Sequence, residues 1–405
     1  MSYATFRSLS GIYEKDAIKL EFYRSQRMPE KKESVRVYIY RQICSDFLFN
    51  TDYEEFKYSL DFSNSQLIYE GVLNKDDSVK YYEYFDYNIN EGVTYAYYIK
   101  SQYNEIIQGP VIIKVRNRLL WMPYEDISNK MNQIKNNYPL FVNIKTHGKS
   151  VEQRKIKSIT IGNVNNIKLG FIGLIHAGES GPEILLYVIE KLLSNNLHLL
   201  KDIGIAFLLN ANPDQRERLV EGNPWYLRKN SNGVDINRNF ESEFDNVEFG
   251  YGFRSDVKTS PTYRGQRANS QPETIAIIDF VKYIKPEALF MFHSLSSICT
   301  DTFLISKYCE HDNKYIDKCK RFLIPYTKGF GVKEQIELYY ATSYGSLAHM
   351  MYEKYNIPAF DMELGKVPKN VKDMIVYDKV TVNLMDEYKK KHYNGICEVI
   401  KNVYS

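Results

Sequence analysis

The sequence predicts an antiparallel all-β sandwich up to about residue 116, followed by an α/β region with a mixed or largely parallel sheet flanked by helices. Three observations predict it. The 405 residues exceed one typical domain, so two are expected. The first part holds 16 of the 35 tyrosines, in short runs that alternate with period two, the pattern of half-buried strands. Beyond Arg116, apolar strand-like runs alternate with helical spacings, which marks an α/β architecture.

In the first part, strands are expected over residues 35–40, 81–85, 93–99 and 111–115, where Val, Ile, Tyr and Phe alternate with polar residues. Several strands within about a hundred residues favour a sandwich. In the second part, Ile127, Met131 and Ile134 carry a helix over 123–137, which stops at Tyr138-Pro139. Strands follow over 156–161 and 167–175, a helix over 182–193 and a buried strand over 203–209. Then come a helix over 273–283, a strand over 288–292, a helix over 346–355 and a strand over 359–363. With no repeat and no low-complexity linker, the expected domains are 1–116 and 117–405.

A net charge of +3 calls for neither nucleic acid nor an anionic membrane as partner. Residues 1–20 carry no apolar run of signal-peptide type, and no stretch of about 18 apolar residues could span a bilayer. The five cysteines (Cys44, Cys299, Cys309, Cys319, Cys397) lack CxxC spacing and read as reduced, buried thiols, which points to a cytoplasmic compartment. Abundant Lys, Ile, Asn and Tyr hint at an AT-rich bacterial genome.

The chemistry gathers at strand ends. The apolar run 169–175 leads into His176-Ala177-Gly178-Glu179, so an imidazole and a carboxylate three residues apart can converge on one cation. The carboxyl ends of strands are where open α/β sheets place their sites. A second apolar run, 288–292, ends on His293. Two histidines and a glutamate suit a hydrolytic zinc ion, which keeps one position for water. The other histidines, His147, His198, His311, His349 and His392, fall in loops or on helices and are expected in surface or capping roles.

Between these ligands stands Gly233-Val234-Asp235-Ile236-Asn237-Arg238-Asn239-Phe240, and further on Phe360-Asp361-Met362-Glu363-Leu364. With HxxE and His293-Ser294, their order resembles the zinc carboxypeptidases of the pancreatic type, peptidase family M14. The resemblance runs over about residues 119–388. It implies one Zn2+ on His176, Glu179 and His293, with Asp235 orienting a ligand histidine. It also implies that Asn237 and Arg238 grip the substrate's terminal carboxylate, that Arg228 stabilises the oxyanion and that Glu363 is the general base. A guanidinium fork suits a carboxylate by paired charge-assisted bonds. The family's mobile tyrosine falls at Tyr340 without a gap, or at Tyr339 with one insertion. The specificity position falls at Leu347, which permits an apolar C-terminal side chain. Gly178 stands where pancreatic members carry an arginine that holds the substrate further upstream. In the first part, Gly92-Val93-Thr94-Tyr95-Ala96-Tyr97 and Gly109-Pro110-Val111 resemble the end of a fibronectin type III domain, whose tyrosine closes a corner.

The expected function is hydrolysis of a C-terminal peptide bond in a peptide with a free terminal carboxylate. One alternative is a γ-D-glutamyl–diamino acid peptidase acting on peptidoglycan-derived peptides. Another, of a different class, is a binding protein with an inactive peptidase domain, which the complete set of ligands and Glu363 disfavours. Arg216 and Arg218, after Asn212-Pro213-Asp214, read as solvated charges or as a grip on an acidic substrate.

Overall fold

Alternation places Val35, Val37 and Ile39 on one side of their strand, and that side is buried. The computed structural model describes residues 6–24, 34–44, 47–50, 55–58, 60–73, 81–103, 106–247, 249–250, 253–294, 302–331, 338–340, 343–365 and 380–404. The chain divides into two units. One gathers the residues described up to Asn117, Glu55 excepted, together with Arg218–Trp225, and the other gathers Glu55, Arg118–Glu217 and the residues from Tyr226 onward.

The first unit comprises β1 (Phe6–Glu14), β2 (Ala17–Arg24), β3 (Val35–Ile43), a short pair β4 (Phe47–Asn50) and β5 (Glu55–Tyr58), β6 (Gln66–Leu73), β7 (Tyr81–Asp86), β8 (Thr94–Ser101) and β9 (Gln108–Lys114). Two antiparallel sheets, ordered β1-β2-β7 and β6-β3-β8-β9, enclose one core. Phe6, Ile18, Leu20 and Phe22 meet Val35, Val37, Ile39, Tyr97 and Ile99 in it. Asp86 on β7 ties the sheets, accepting from Tyr97 at 2.9 Å and from Arg41 at 2.8 Å. Tyr95, at the start of β8, accepts the Asn90 N–H on its hydroxyl at 2.9 Å.

The second unit runs α1 (Tyr124–Asn137), β10 (Val142–Lys149), β11 (Lys155–Gly162), β12 (Ile167–Gly173), α2 (Gly181–Asn195), β13 (Gly204–Leu208) and the part up to Glu217 of α3 (Pro213–Val220). A small hairpin of β14 (Phe249–Gly250) and β15 (Phe253–Arg254) precedes α4 (Pro272–Ile284), β16 (Ala288–Phe292), β17 (Thr302–Ile305) and α5 (Asn313–Phe330). Last come β18 (Leu338–Tyr340), α6 (Leu347–Met350), β19 (Ala359–Glu363) and α7 (Val382–Tyr404). Eight strands form one mixed sheet ordered β10-β11-β13-β12-β16-β19-β17-β18. Its middle strands, β13, β12, β16 and β19, are mutually parallel. Covered on both faces, they are near-continuous apolar runs. Phe171 stacks on Phe207 and Phe290 on one face, while Ile172, Leu208 and Met291 pack with Ile277 and Phe280 of α4 on the other.

The expected strand over 167–175 stops at Gly173, because Leu174 adopts a left-handed conformation with φ of 54°. The helix expected over 346–355 is α6 followed by a wider π turn over Met351–Tyr355. Three histidines expected near the surface are interior: His147, His349 and His392 are buried, and only His198 and His311 are exposed. His147 lies 2.7 Å from Asp279 on α4 and 2.7 Å from Ser158 on β11, clipping that helix to the sheet. Cys44, Cys309, Cys319 and Cys397 are free and buried; Cys299 falls outside the described residues. Among the described residues, no helix is long and apolar enough to cross a membrane.

Candidate metal centre

Parallel pairing brings the site together. Gly173 at the end of β12 lies opposite Phe292 at the end of β16, and Phe292 lies opposite Met362 of β19. The loops after β12 and β16 and the last residue of β19 therefore emerge side by side at one sheet edge. Loop 174–180 starts at left-handed Leu174 and is held by bonds from Ala177 N–H to Leu227 O and from Ser180 N–H to Ser294 O.

His176, Glu179 and His293 are buried, with their ligating atoms all within 4.8 Å of one another. Each imidazole sets Nδ1 2.8 Å from Glu179 Oε1. Glu179 Oε2 is buried with no hydrogen-bond partner. The far nitrogen of each ring faces a carboxylate, His176 Nε2 at 3.2 Å from Asp235 and His293 Nε2 at 3.2 Å from Asp361. Two imidazoles backed by carboxylates, converging with a buried glutamate that has an orphaned oxygen, make a donor set that fits zinc. Burial would raise the Glu179 carboxyl, but His293 and His176 outweigh it and hold it well below the usual range.

Asp235 is the hub of the surrounding residues. Its Oδ1 meets His176 and accepts the Asn237 N–H at 3.0 Å, while its Oδ2 accepts from Arg228 Nε at 2.8 Å and lies 4.0 Å from Arg238. Burial would push this carboxyl up; Arg228, His176 and Arg238 keep it well below its ordinary value. The local sequence builds the hub. Asn230 accepts the Asn232 and Val234 N–H groups, Gly233 supplies φ of 73°, and Asp235 caps the short turn Ile236–Arg238. Asn237 Oδ1 accepts the Leu347 N–H at 3.0 Å. The Leu347 side chain itself is fully buried in the core.

Glu363 ends β19, and the His293 N–H donates to the preceding Met362 O at 3.2 Å. Tyr340 sits on edge strand β18 opposite Ile305. Tyr339 precedes it on the same strand.

Several residues with a part in the site were not assigned one from sequence. Asp361 could have been found, because it lies two residues before Glu363 and so faces the same side of β19. Tyr226 donates its hydroxyl to Glu179 Oε1 at 2.8 Å. Arg216 corrects an expectation: it is neither solvated nor open to substrate, but fully buried. It donates to the carbonyls of Ala177 and Glu179, each at 3.1 Å, and to Met122 O at 3.0 Å, and it pairs with buried Glu183. No local pattern separates such an arginine from a surface one. Arg218 is exposed, as expected.

The comparisons with known proteins agree with this donor set. The family model for zinc carboxypeptidases, peptidase family M14, matches residues 127–377, more than half of the chain. The chain belongs to that family of metalloproteases, with a single His-Glu-His triad among the described residues for its zinc. It is 30% identical to mouse (Mus musculus) carboxypeptidase D over 174 residues, 39% of this chain and 11% of that protein. It is 26% identical to the human (Homo sapiens) carboxypeptidase N catalytic chain over 174 residues, 38% of each. The aligned stretch thus spans well under half of these relatives. Among solved structures, carboxypeptidase A of Helicoverpa armigera superposes with a TM-score of 0.56 at 17% identity, over 72% of this chain and 76% of that one. Bovine thrombin-activatable fibrinolysis inhibitor does so with a TM-score of 0.56 at 17% identity, over 70% and 97%. These likenesses agree on the fold.

Proposed function

We propose that the protein is a metallocarboxypeptidase that hydrolyses the last peptide bond of a substrate with a free C-terminal carboxylate. The observation that carries this reading is the Asp235 hub, which joins a metal histidine to Arg228, Asn237 and Arg238 in one buried network. Zinc on His176, Glu179 and His293 would supply Lewis-acid polarisation of the scissile carbonyl and a more acidic attacking water. Asn237 and Arg238 bind the terminal carboxylate and so fix which bond faces the strand ends. Arg228, oriented through its Nε by Asp235, directs positive charge at the oxygen that becomes an oxyanion. Glu363 takes a proton from the attacking water and delivers it to the leaving amine. Tyr340 closes over the bound terminus, and Leu347 backs the side-chain pocket.

The N-terminal unit, residues 1–116 in this reading, is a fibronectin type III-like module ahead of a catalytic domain over 117–405. Its two sheets of three and four strands and the Tyr95–Asn90 bond support that assignment.

Zinc content and hydrolysis of a blocked dipeptide, compared between wild type and Glu363→Gln, test the proposal. The variant is expected to keep its zinc and lose at least about a hundredfold in kcat, the lower range for one positioned acid–base group. A zinc-loaded wild type that releases no C-terminal residue from any peptide in a library would refute it.

A further inference from the structure

Tyr226 lies two residues before Arg228, and Leu227 between them adopts a left-handed conformation with φ of 56°. That conformation is uncommon for a branched apolar residue and is held by the Ala177 N–H on Leu227 O. The Tyr226 hydroxyl donates to Glu179 Oε1 at 2.8 Å and lies 3.5 Å from His176 Nδ1, and the two rings are 6.1 Å apart. The residue is 6% exposed, so this hydroxyl meets the metal carboxylate from inside the protein. Gly178 faces it: a Cβ there would collide with the Tyr226 ring and its carbonyl oxygen.

We propose that Tyr226 is a positioning residue of the metal centre, its hydroxyl fixing the orientation of the Glu179 carboxylate, and that Gly178 is the residue that admits it. The inference rests on the metal reading of the triad and goes beyond it. Glu179 Oε2 has no hydrogen-bond donor, so the polar contacts that orient the carboxylate all fall on Oε1. Imidazole Nδ1 atoms that served a cation on the triad would no longer be available to donate to Glu179. The Tyr226 hydroxyl would then remain as a donor on the carboxylate. Groups that orient metal ligands in this way are worth roughly 10–100-fold in metal affinity. Space at position 178 is filled by Tyr226, so a side chain there is excluded in favour of the ligand's support.

The test is Tyr226→Phe, which keeps the ring against Gly178 and removes only the hydroxyl. Zinc affinity is measured by competition with a chromophoric chelator, and the thermal midpoint of the metal-free protein is recorded alongside. The expected result is a zinc dissociation constant raised about 10–100-fold with the metal-free midpoint close to wild type. The visible spectrum of the Co2+-loaded variant should shift as well, since a merely packed ring would leave the ligand field unchanged. Should the Phe variant fail to fold, Tyr226→Met, which fills the space flexibly without a donor, carries the same expectation. A Phe variant that holds zinc as tightly as wild type, with the same Co2+ spectrum, overturns the proposal and leaves the metal reading intact. A wild type that binds no zinc overturns both.

Discussion

At the residue scale, the site depends on groups that satisfy buried backbone rather than on ligands alone. Arg216 places one guanidinium on the carbonyls of Ala177 and Glu179, the two residues that flank Gly178 in the metal loop. Its charge is answered by Glu183, and its guanidinium carbon lies over the Trp121 ring, 5.2 Å from the ring centroid. Removing one member of such a pair leaves the other charged and buried, which costs about 3–5 kcal/mol. Arg216→Met should therefore destabilise the protein by that amount in urea unfolding. It should also weaken zinc retention, because two carbonyls of the loop lose their donor. A smaller cost from Arg216→Met/Glu183→Leu together is expected, since no unpaired charge then remains. A double variant as unstable as the single one would show that hydrogen bonds to the loop, not the charge pair, dominate.

At the scale of elements, legibility followed the physics of each segment. The parallel strands at 288–292 and 359–363 were plain in the sequence because burial on both faces demands continuous apolar runs. From them the positions of His293 and Glu363 at strand ends could be read. β17 and the edge strand β18 beside it are short and carry no such demand. The long helices α5 and α7 also went unassigned. α5 contains Pro325, and α7 is lysine-rich with Gly395 inside it, features that lower local helical signal. What stabilises them is mutual packing, which no local pattern displays. Gly395 of α7 sits against Tyr326 of α5, where a Cβ would meet the Tyr326 carbonyl oxygen at 3.0 Å; Gly329 of α5 meets Gly395 in turn. Gly395→Leu should force the helices apart and cost about 1–3 kcal/mol, the usual range for overpacking. Zinc affinity, measured below the unfolding temperature, should be unchanged, because neither helix supplies a ligand. Loss of zinc in that variant would mean that the α5–α7 pair braces the strand ends more directly than its contacts imply.

For the molecule as a whole, buried histidines outside the metal centre contribute to how stability responds to acid. His392 of α7 packs its ring against Phe292, whose strand ends at the metal site, and its Nδ1 lies 2.5 Å from the Tyr326 hydroxyl. Burial, then the charge of Lys391, lowers its pKa from 6.5 to about 3. His349 of α6 is likewise lowered, to about 4, first by burial, with Glu353 opposing and Lys307 adding to it. In the folded protein both rings stay neutral through mild acid, whereas in the unfolded chain they take up protons near their ordinary pKa of 6.5. The unfolded state thus binds more protons, and stability present above pH 6.5 is lost as the pH falls toward 4 and then 3. The slope is at most about 1.4 kcal/mol per pH unit for each histidine. His392→Gln retains a hydrogen-bonding group for Tyr326 but cannot titrate. Comparing unfolding free energies of wild type and variant between pH 7 and pH 4.5 cancels contributions common to both, including those of the metal histidines. The variant should show a shallower decline by up to the slope of one histidine, while His349 and His147, both lowered by burial, still contribute. Parallel curves would mean that His392 takes up its proton in the folded state without cost, and that the acid sensitivity of this core lies elsewhere.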